Sequence, residues 1–180
     1  MKDLMVDLET LSTNSNALIL SISAVQFDFE TGEVGKEFNI RPSIQQQIVK
    51  GAHIDGGTLE WWLMDNLEAF GELRTIICKP VEDIITELNE FIKDNNIENI
   101  WGNGCTFDNV ILRNMYLRHS KVFPLPFWAD RDVRTVRDIY GVDIREVEFK
   151  GTKHKGVDDC KFQIDYITNK DYRKGRGNGY

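Results

Sequence analysis

The period of the apolar positions changes along the chain and lays out its elements in order. Residues 4–8 and the longer stretch 17–29, rich in Ile, Val and Phe, predict two strands. A turn at 30–33 and a third predicted strand at 34–40 follow so closely that an antiparallel meander is expected. Helical spacing then dominates. Thr58 is placed to cap a helix through Trp61, Trp62 and Met64. Pro80 opens another, with Val81, Ile84, Ile85, Leu88, Phe91 and Ile92 on one stripe. A short fourth strand is predicted at 98–101. From Thr106 a helix carries Val110, Ile111, Leu112, Met115 and Leu117. A fifth strand is expected at 127–129, a helix at 133–140, and a last helix from Gly156 or Val157 to about Ile167.

Three antiparallel strands followed by alternating helices and strands match a ribonuclease-H-like α/β architecture, with a central mixed five-stranded sheet flanked by helices. The 180 residues fit one domain, expected over 1–170, followed by a basic, glycine-rich, flexible tail at 171–180. Apolar content of 41% and charged content of 28% suit a soluble globular chain. Ser21, Ser23, Gln26 and Asp28 interrupt the longest apolar stretch, so no membrane span is expected. Asp3, Asp7 and Glu9 break any signal-peptide pattern at the N-terminus. Cys78, Cys105 and Cys160 have neither zinc-ligand spacing nor a disulfide framework, which fits a reducing cytosol. The net charge of −7 opposes broad adhesion to nucleic acid, but not a nuclease with a small footprint.

The candidate chemistry lies in four acidic segments. On a strand, Asp7 and Glu9 project from the same face, where two carboxylates resist ionising together. Apolar flanks argue that this strand is buried and that a cation neutralises the pair. Asp108 falls in the first turn of a helix after the glycine-rich junction at 101–107; a carboxylate there also stabilises the helix dipole by about 0.3–1 kcal/mol. His154 precedes a helix whose first turn carries Asp158 and Asp159, and spacing alone does not choose between the two acids. His53 and His119 read as ordinary structural or surface histidines. Four carboxylates around divalent metal, with a histidine nearby, make a phosphodiester-cleaving site.

The order Asp-x-Glu, then Asp after a glycine-rich strand–helix junction, then His and Asp five residues apart, resembles the DEDDh 3′–5′ exonucleases of the DnaQ-like superfamily. Similarity extends to Glu60-Trp61-Trp62, to the junction leading into Asp108 and to residues 127–135, so it covers nearly the whole chain. It is greatest with the short phage and bacterial branch. The resemblance implies Asp7, Glu9, Asp108 and Asp159 as ligands of two Mg²⁺ or Mn²⁺ ions, and His154 as general base. It favours Asp159 over Asp158, and it implies the histidine-type rather than the tyrosine-type enzyme, because Lys155 stands where the tyrosine would. Gly156 and Cys160 depart from the alanines common in the family, but both remain small. The implied reaction is hydrolysis of single-stranded nucleic acid or 3′ overhangs to nucleoside 5′-monophosphates in the cytoplasm of a bacterium or phage-infected host, with a lean to DNA over RNA and a homodimer as the common state of relatives. A ribonuclease-H-type endonuclease and an inactive binding module are the rival readings. Thr10, Leu11 and Asn103 are placed to contact the terminal nucleotide. One of Trp61 and Trp62 is expected to pack inside, and the other either walls the site or packs between helix and sheet as well; Trp62 is the candidate for the wall. Arg131 and Arg134 either reach phosphate or pair with Asp130, Asp132 or Asp138.

Overall fold

The computed structural model describes residues 1–152 and 154–174. Strands β1 (Asp3–Thr10), β2 (Ile19–Phe27) and β3 (Val34–Pro42) form the antiparallel meander, with Asp7 opposite Ser23 and Ile22 opposite Ile40. After α1 (Ile44–Val49), the segment α2 (Gly56–Glu60), a π turn (Trp61–Asp65) and α3 (Leu67–Glu72) crosses the end of the meander. Then come β4 (Cys78–Lys79), α4 (Val81–Asp94), β5 (Asn99–Gly102), α5 (Asp108–Arg118), β6 (Asp130–Asp132), α6 (Val133–Tyr140) and α7 (Gly156–Thr168). The sheet order is β4-β3-β2-β1-β5-β6, with β5 parallel to β1 and β6 parallel to β5.

The sheet therefore has six strands rather than five. The extra one, β4, is two residues long and pairs with the end of β3. Residues Phe127–Ala129 form a 3-10 turn instead of a strand, and β6 follows as Asp-Arg-Asp, a sequence with no apolar signal. Asp55 rather than Thr58 caps α2: its Oδ1 accepts the Thr58 N–H at 2.8 Å and the Thr58 hydroxyl at 3.0 Å, a charged acceptor outcompeting the hydroxyl. α5 starts at Asp108, two residues later than Thr106 predicts.

The two faces of β1 bury different things. Leu4, Val6 and Leu8 join Ile22 and Ala24 against Ile84, Ile85, Leu88, Ile111 and Met115 of α4 and α5. On the other face, Met5, Val25 and Trp101 pack on Val133, Val157, Ile164 and Ile167 of α6 and α7. Each such aliphatic side chain contributes about 1.5–3 kcal/mol when buried. A one-residue slip of β1 would drive Asp7 and Glu9 into the α4/α5 core, so burial fixes the register that exposes them toward α7.

Residues 173 and 174 contact α6. The Arg173 guanidinium lies 3.9 Å over the Tyr140 ring and the Lys174 N–H donates to the Tyr140 carbonyl at 3.0 Å, so the folded unit passes the expected limit at 170. The rest of the expected tail, 175–180, lies outside the described residues. The three cysteines are free, and no described helix is long and apolar enough to cross a membrane.

Candidate active site

Asp7 and Glu9 of β1 and Asp159 of α7 each offer a carboxylate oxygen, all within 4.8 Å of one another. Small residues make this approach feasible. Opposite Glu9 and Asp7, β2 carries Ser21 and Ser23, both buried. Gly156, the first residue of α7, rests on Ser23 so closely that a Cβ there would lie 2.4 Å from Ser23 Oγ, 2.7 Å from its Cβ and 3.2 Å from Asp7 Oδ2. The bare glycine lets the helix start touch the sheet. The buried Cys160 thiol follows, 3.7 Å from the Met5 and Ser23 carbonyls.

Asp158 turns the other way. Its Oδ2 accepts the Thr152 N–H at 3.0 Å, beside Gly151, whose φ of +121° and missing Cβ leave room for the carboxylate. Asp108 is buried at the head of α5. β1–β5 pairing stops where Val6 meets Gly102, and just beyond it the Leu8 N–H donates to Asp108 Oδ1 at 3.1 Å. Asp108 thus supports the end of β1 beside the cluster of three.

Burial raises the Asp7 carboxyl well above its ordinary range, and repulsion from Asp108 and Asp159 raises it further. Gln163 opposes this by donating its amide to Asp7 Oδ1 at 3.1 Å. Glu9 is pushed up to about 9, by burial first and then by Asp7, Asp159 and Asp108. Asp108 is pushed up to about 7 by burial, against the pull of the Leu8, Asp108 and Asn103 amides and of Arg134. Both β1 acids keep part of their surface open to solvent, so the cluster is reachable. Among the described residues, no lysine or arginine forms an ion pair with Asp7 or Glu9. Crowded, oxygen-only donors that the chain leaves under-neutralised fit a hard divalent cation.

His154 stands at the mouth of this cluster. Its Nδ1 is 4.0 Å from Glu9 Oε1, and its side chain is 41% exposed. Its backbone φ of +63° is a left-handed conformation that histidine tolerates better than most residues. Its ring lies nearly perpendicular to those of Trp61 and Trp62, with centroids 5.6 and 6.2 Å away.

The tryptophans exchange the roles expected of them. Trp62 is 1% exposed and its indole N–H donates to the Thr10 carbonyl at 2.9 Å, tying the π turn to the end of β1. Trp61, 39% exposed, is the one left beside His154. Thr10 and Leu11 also turn inward: the Thr10 hydroxyl donates to the Ser12 carbonyl at 2.7 Å, and Leu11 packs with Leu18, Leu20 and Trp62. Both side chains are buried in the fold. Asn103 sits at the β5–α5 junction, where its Oδ1 accepts from Arg134 Nε at 3.3 Å. His53 bonds Ser12 and His119 bonds Glu82, both away from the acids. Sequence reasoning missed Gln163 and Ser23. The signals were present: Gln163 lies one helical turn after Asp159, and Ser21 and Ser23 break an apolar strand with period two.

A ribonuclease-H-like sheet carrying these acids in this order, with a histidine before the last, is the arrangement of the DEDDh exonucleases. More narrowly, the chain belongs to the Rv2179c-like 3′-5′ exoribonuclease domain family, whose model matches residues 2–170. It is 26% identical over 202 residues to the exodeoxyribonuclease of Enterobacteria phage T4, covering 91% of this chain and 86% of that protein. The fold is shared with E. coli exonuclease I in complex with a dT13 oligonucleotide, at TM-score 0.64 and 14% identity over 96% of this chain but 41% of that one. The nuclease domain of 3′hExo, a DEDDh family member bound to rAMP, matches at TM-score 0.61 and 13% identity, covering 98% of this chain and 96% of that domain. The chain therefore spans less than half of exonuclease I and nearly all of the 3′hExo domain.

Proposed function

We propose that the protein hydrolyses single-stranded nucleic acid or 3′ overhangs from the 3′ end, releasing nucleoside 5′-monophosphates with the help of two Mg²⁺ or Mn²⁺ ions. The observation that carries this reading is the approach of Asp7, Glu9 and Asp159 within 4.8 Å, with His154 at 4.0 Å from Glu9. Those three acids would hold the ions, with Asp108 supporting from the α5 side. When bound, such ions offset charge on the phosphate and lower the pKa of water. His154 takes the proton from the attacking water; its exposed ring can turn toward the substrate while Trp61 and Trp62 limit its swing. Gln163 holds Asp7 in one orientation through a neutral donor, which adds no charge to compete with a cation. Trp61 offers a partly exposed indole against which a terminal base packs, a contact worth roughly 1–3 kcal/mol.

The phage relative is named an exodeoxyribonuclease, which favours DNA. The family description names an exoribonuclease, which supports RNA as the second reading. The choice rests on contact with one 2′-hydroxyl. Digestion of matched 3′- and 5′-labelled DNA and RNA oligomers with Mg²⁺ or Mn²⁺ tests polarity, sugar and metal need together. Cleavage of a circular single strand would replace this reading with the ribonuclease-H-type one.

A further inference from the structure

Arg134, in the first turn of α6, extends toward the β5–α5 junction. Its Nε donates to Asn103 Oδ1 at 3.3 Å. Its guanidinium lies against Gly104, whose φ is +108°; a Cβ there would come within 3.3 Å of Arg134 Cζ and 3.5 Å of Nη1. The glycine opens the room that the guanidinium fills, at the junction that leads into Asp108. Arg134 is close enough to Asp108 for its charge to act on that carboxyl.

The acids expected to pair with Arg134 are all engaged elsewhere. Asp130 takes Arg113 at 2.8 Å, and Asp138 takes Arg137 at 3.0 Å. Asp132 caps α6 by accepting the Thr135 N–H at 2.7 Å and also accepts the Cys105 N–H at 2.7 Å. Arg131, the other candidate, folds back, its Nη1 donating to the Trp128 carbonyl at 2.8 Å and the Asp130 carbonyl at 3.0 Å. Among the described residues, neither Nη atom of Arg134 has a hydrogen-bond partner, and the side chain is exposed. An exposed guanidinium fork whose Nη atoms have no partner is the geometry that recognises a phosphate. A chain of net charge −7 that holds a polyanion beside four carboxylates needs such a cation.

We propose that Arg134, positioned by Asn103 and Gly104, binds one backbone phosphate of the substrate strand. The inference rests on the exonuclease reading, because it takes the strand to end at the acid cluster.

The test is a neutral-linkage scan. Short 5′-fluorescent DNA and RNA oligomers carry a single methylphosphonate at each of the linkages nearest the 3′ end. Binding is followed by anisotropy in EDTA and in Ca²⁺, for wild type, Arg134→Ala and Arg134→Lys. Wild type should lose roughly tenfold in affinity at one linkage. Arg134→Ala should bind the all-phosphate strand roughly tenfold more weakly, lose discrimination at that linkage, and show a log–log salt slope smaller by about 0.7. Arg134→Lys should restore part of both. Full wild-type discrimination in Arg134→Ala would overturn the proposal, and so would unchanged strand affinity. A role as mere counter-charge to Asp108 would alter metal affinity while leaving the linkage pattern intact. If wild type releases no nucleotide from labelled oligomers yet shows the Arg134-dependent linkage, the exonuclease reading falls and the contact stands. If it cuts but Arg134→Ala matches it at every linkage, the contact falls alone. Absence of any oligomer binding would remove both.

Discussion

Without divalent cation, raising the pH from 6 to 8 should destabilise the protein, and adding Mg²⁺ or Mn²⁺ should abolish the effect. In the folded state Glu9 keeps its proton up to about pH 9, because burial and the neighbouring acids oppose its ionisation; its ordinary value is 4.5. A carboxyl raised in this way adds stability that is fully present below the ordinary value and lost as the pH climbs through the raised one. Between pH 6 and 8 the folded state thus binds about one proton more than the unfolded chain at this position, a loss of about 1.4 kcal/mol per pH unit. Asp108, at about 7, adds to the loss in the lower half of the interval. The Glu9 side chain is only 13% exposed, so solvent screening removes a modest part. A net loss on the order of 3 kcal/mol corresponds to roughly 6–12 °C in Tm for a chain of this size. The assay is urea unfolding at pH 6, 7 and 8, in EDTA and again with each cation. Glu9→Gln, which cannot ionise, should make the EDTA profile shallower by about one proton, leaving the slope that the raised Asp7 and Asp108 carboxyls contribute. Stability in EDTA that is level or rises from pH 6 to 8 would refute the reading of an acid cluster awaiting a cation.

Three further outcomes follow from the same geometry. His154→Ala should lower turnover by about 10²–10⁴ while leaving calorimetric metal binding near that of the wild type; near-normal turnover would sink the general-base role. Gly156→Ala should cost about 1–3 kcal/mol by forcing α7 off Ser23 and Asp7, with partial recovery in the Gly156→Ala, Ser23→Gly double variant. A Gly156→Ala chain as stable as the wild type in urea would contradict that packing. Trp62→Ala should destabilise by about 3–5 kcal/mol, whereas Trp61→Ala should mainly raise KM; the reverse pattern in unfolding and kinetics would exchange their roles.

What the sequence discloses here is what local periodicity controls. Period two along β1 places Asp7 and Glu9 on one face, and apolar spacing finds α4, α5 and α7. Choices between sequence neighbours are another matter, because distant partners make them. Trp62 is buried by an indole bond to Thr10, 52 residues away, and Asp158 is held off by the Thr152 amide and the room at Gly151. Gln163 reaches Asp7 across 156 residues, which no window along the chain reveals. The edge strands β4 and β6 are two and three residues long, too short to show a period, and exist because β3 and β5 offer them pairing. The family resemblance reached Asp159 where spacing did not, because it carries the outcome of such long-range packing in its motif order.

The account is tested most directly by degradation of one linear oligomer labelled separately at each end. With Mg²⁺ or Mn²⁺, the 3′ label should appear at once as a mononucleotide while the 5′ label passes through a ladder shortening one residue at a time, and Asp7→Asn should abolish both. Internal cuts, early release of the 5′ nucleotide, or undiminished activity in EDTA would contradict it.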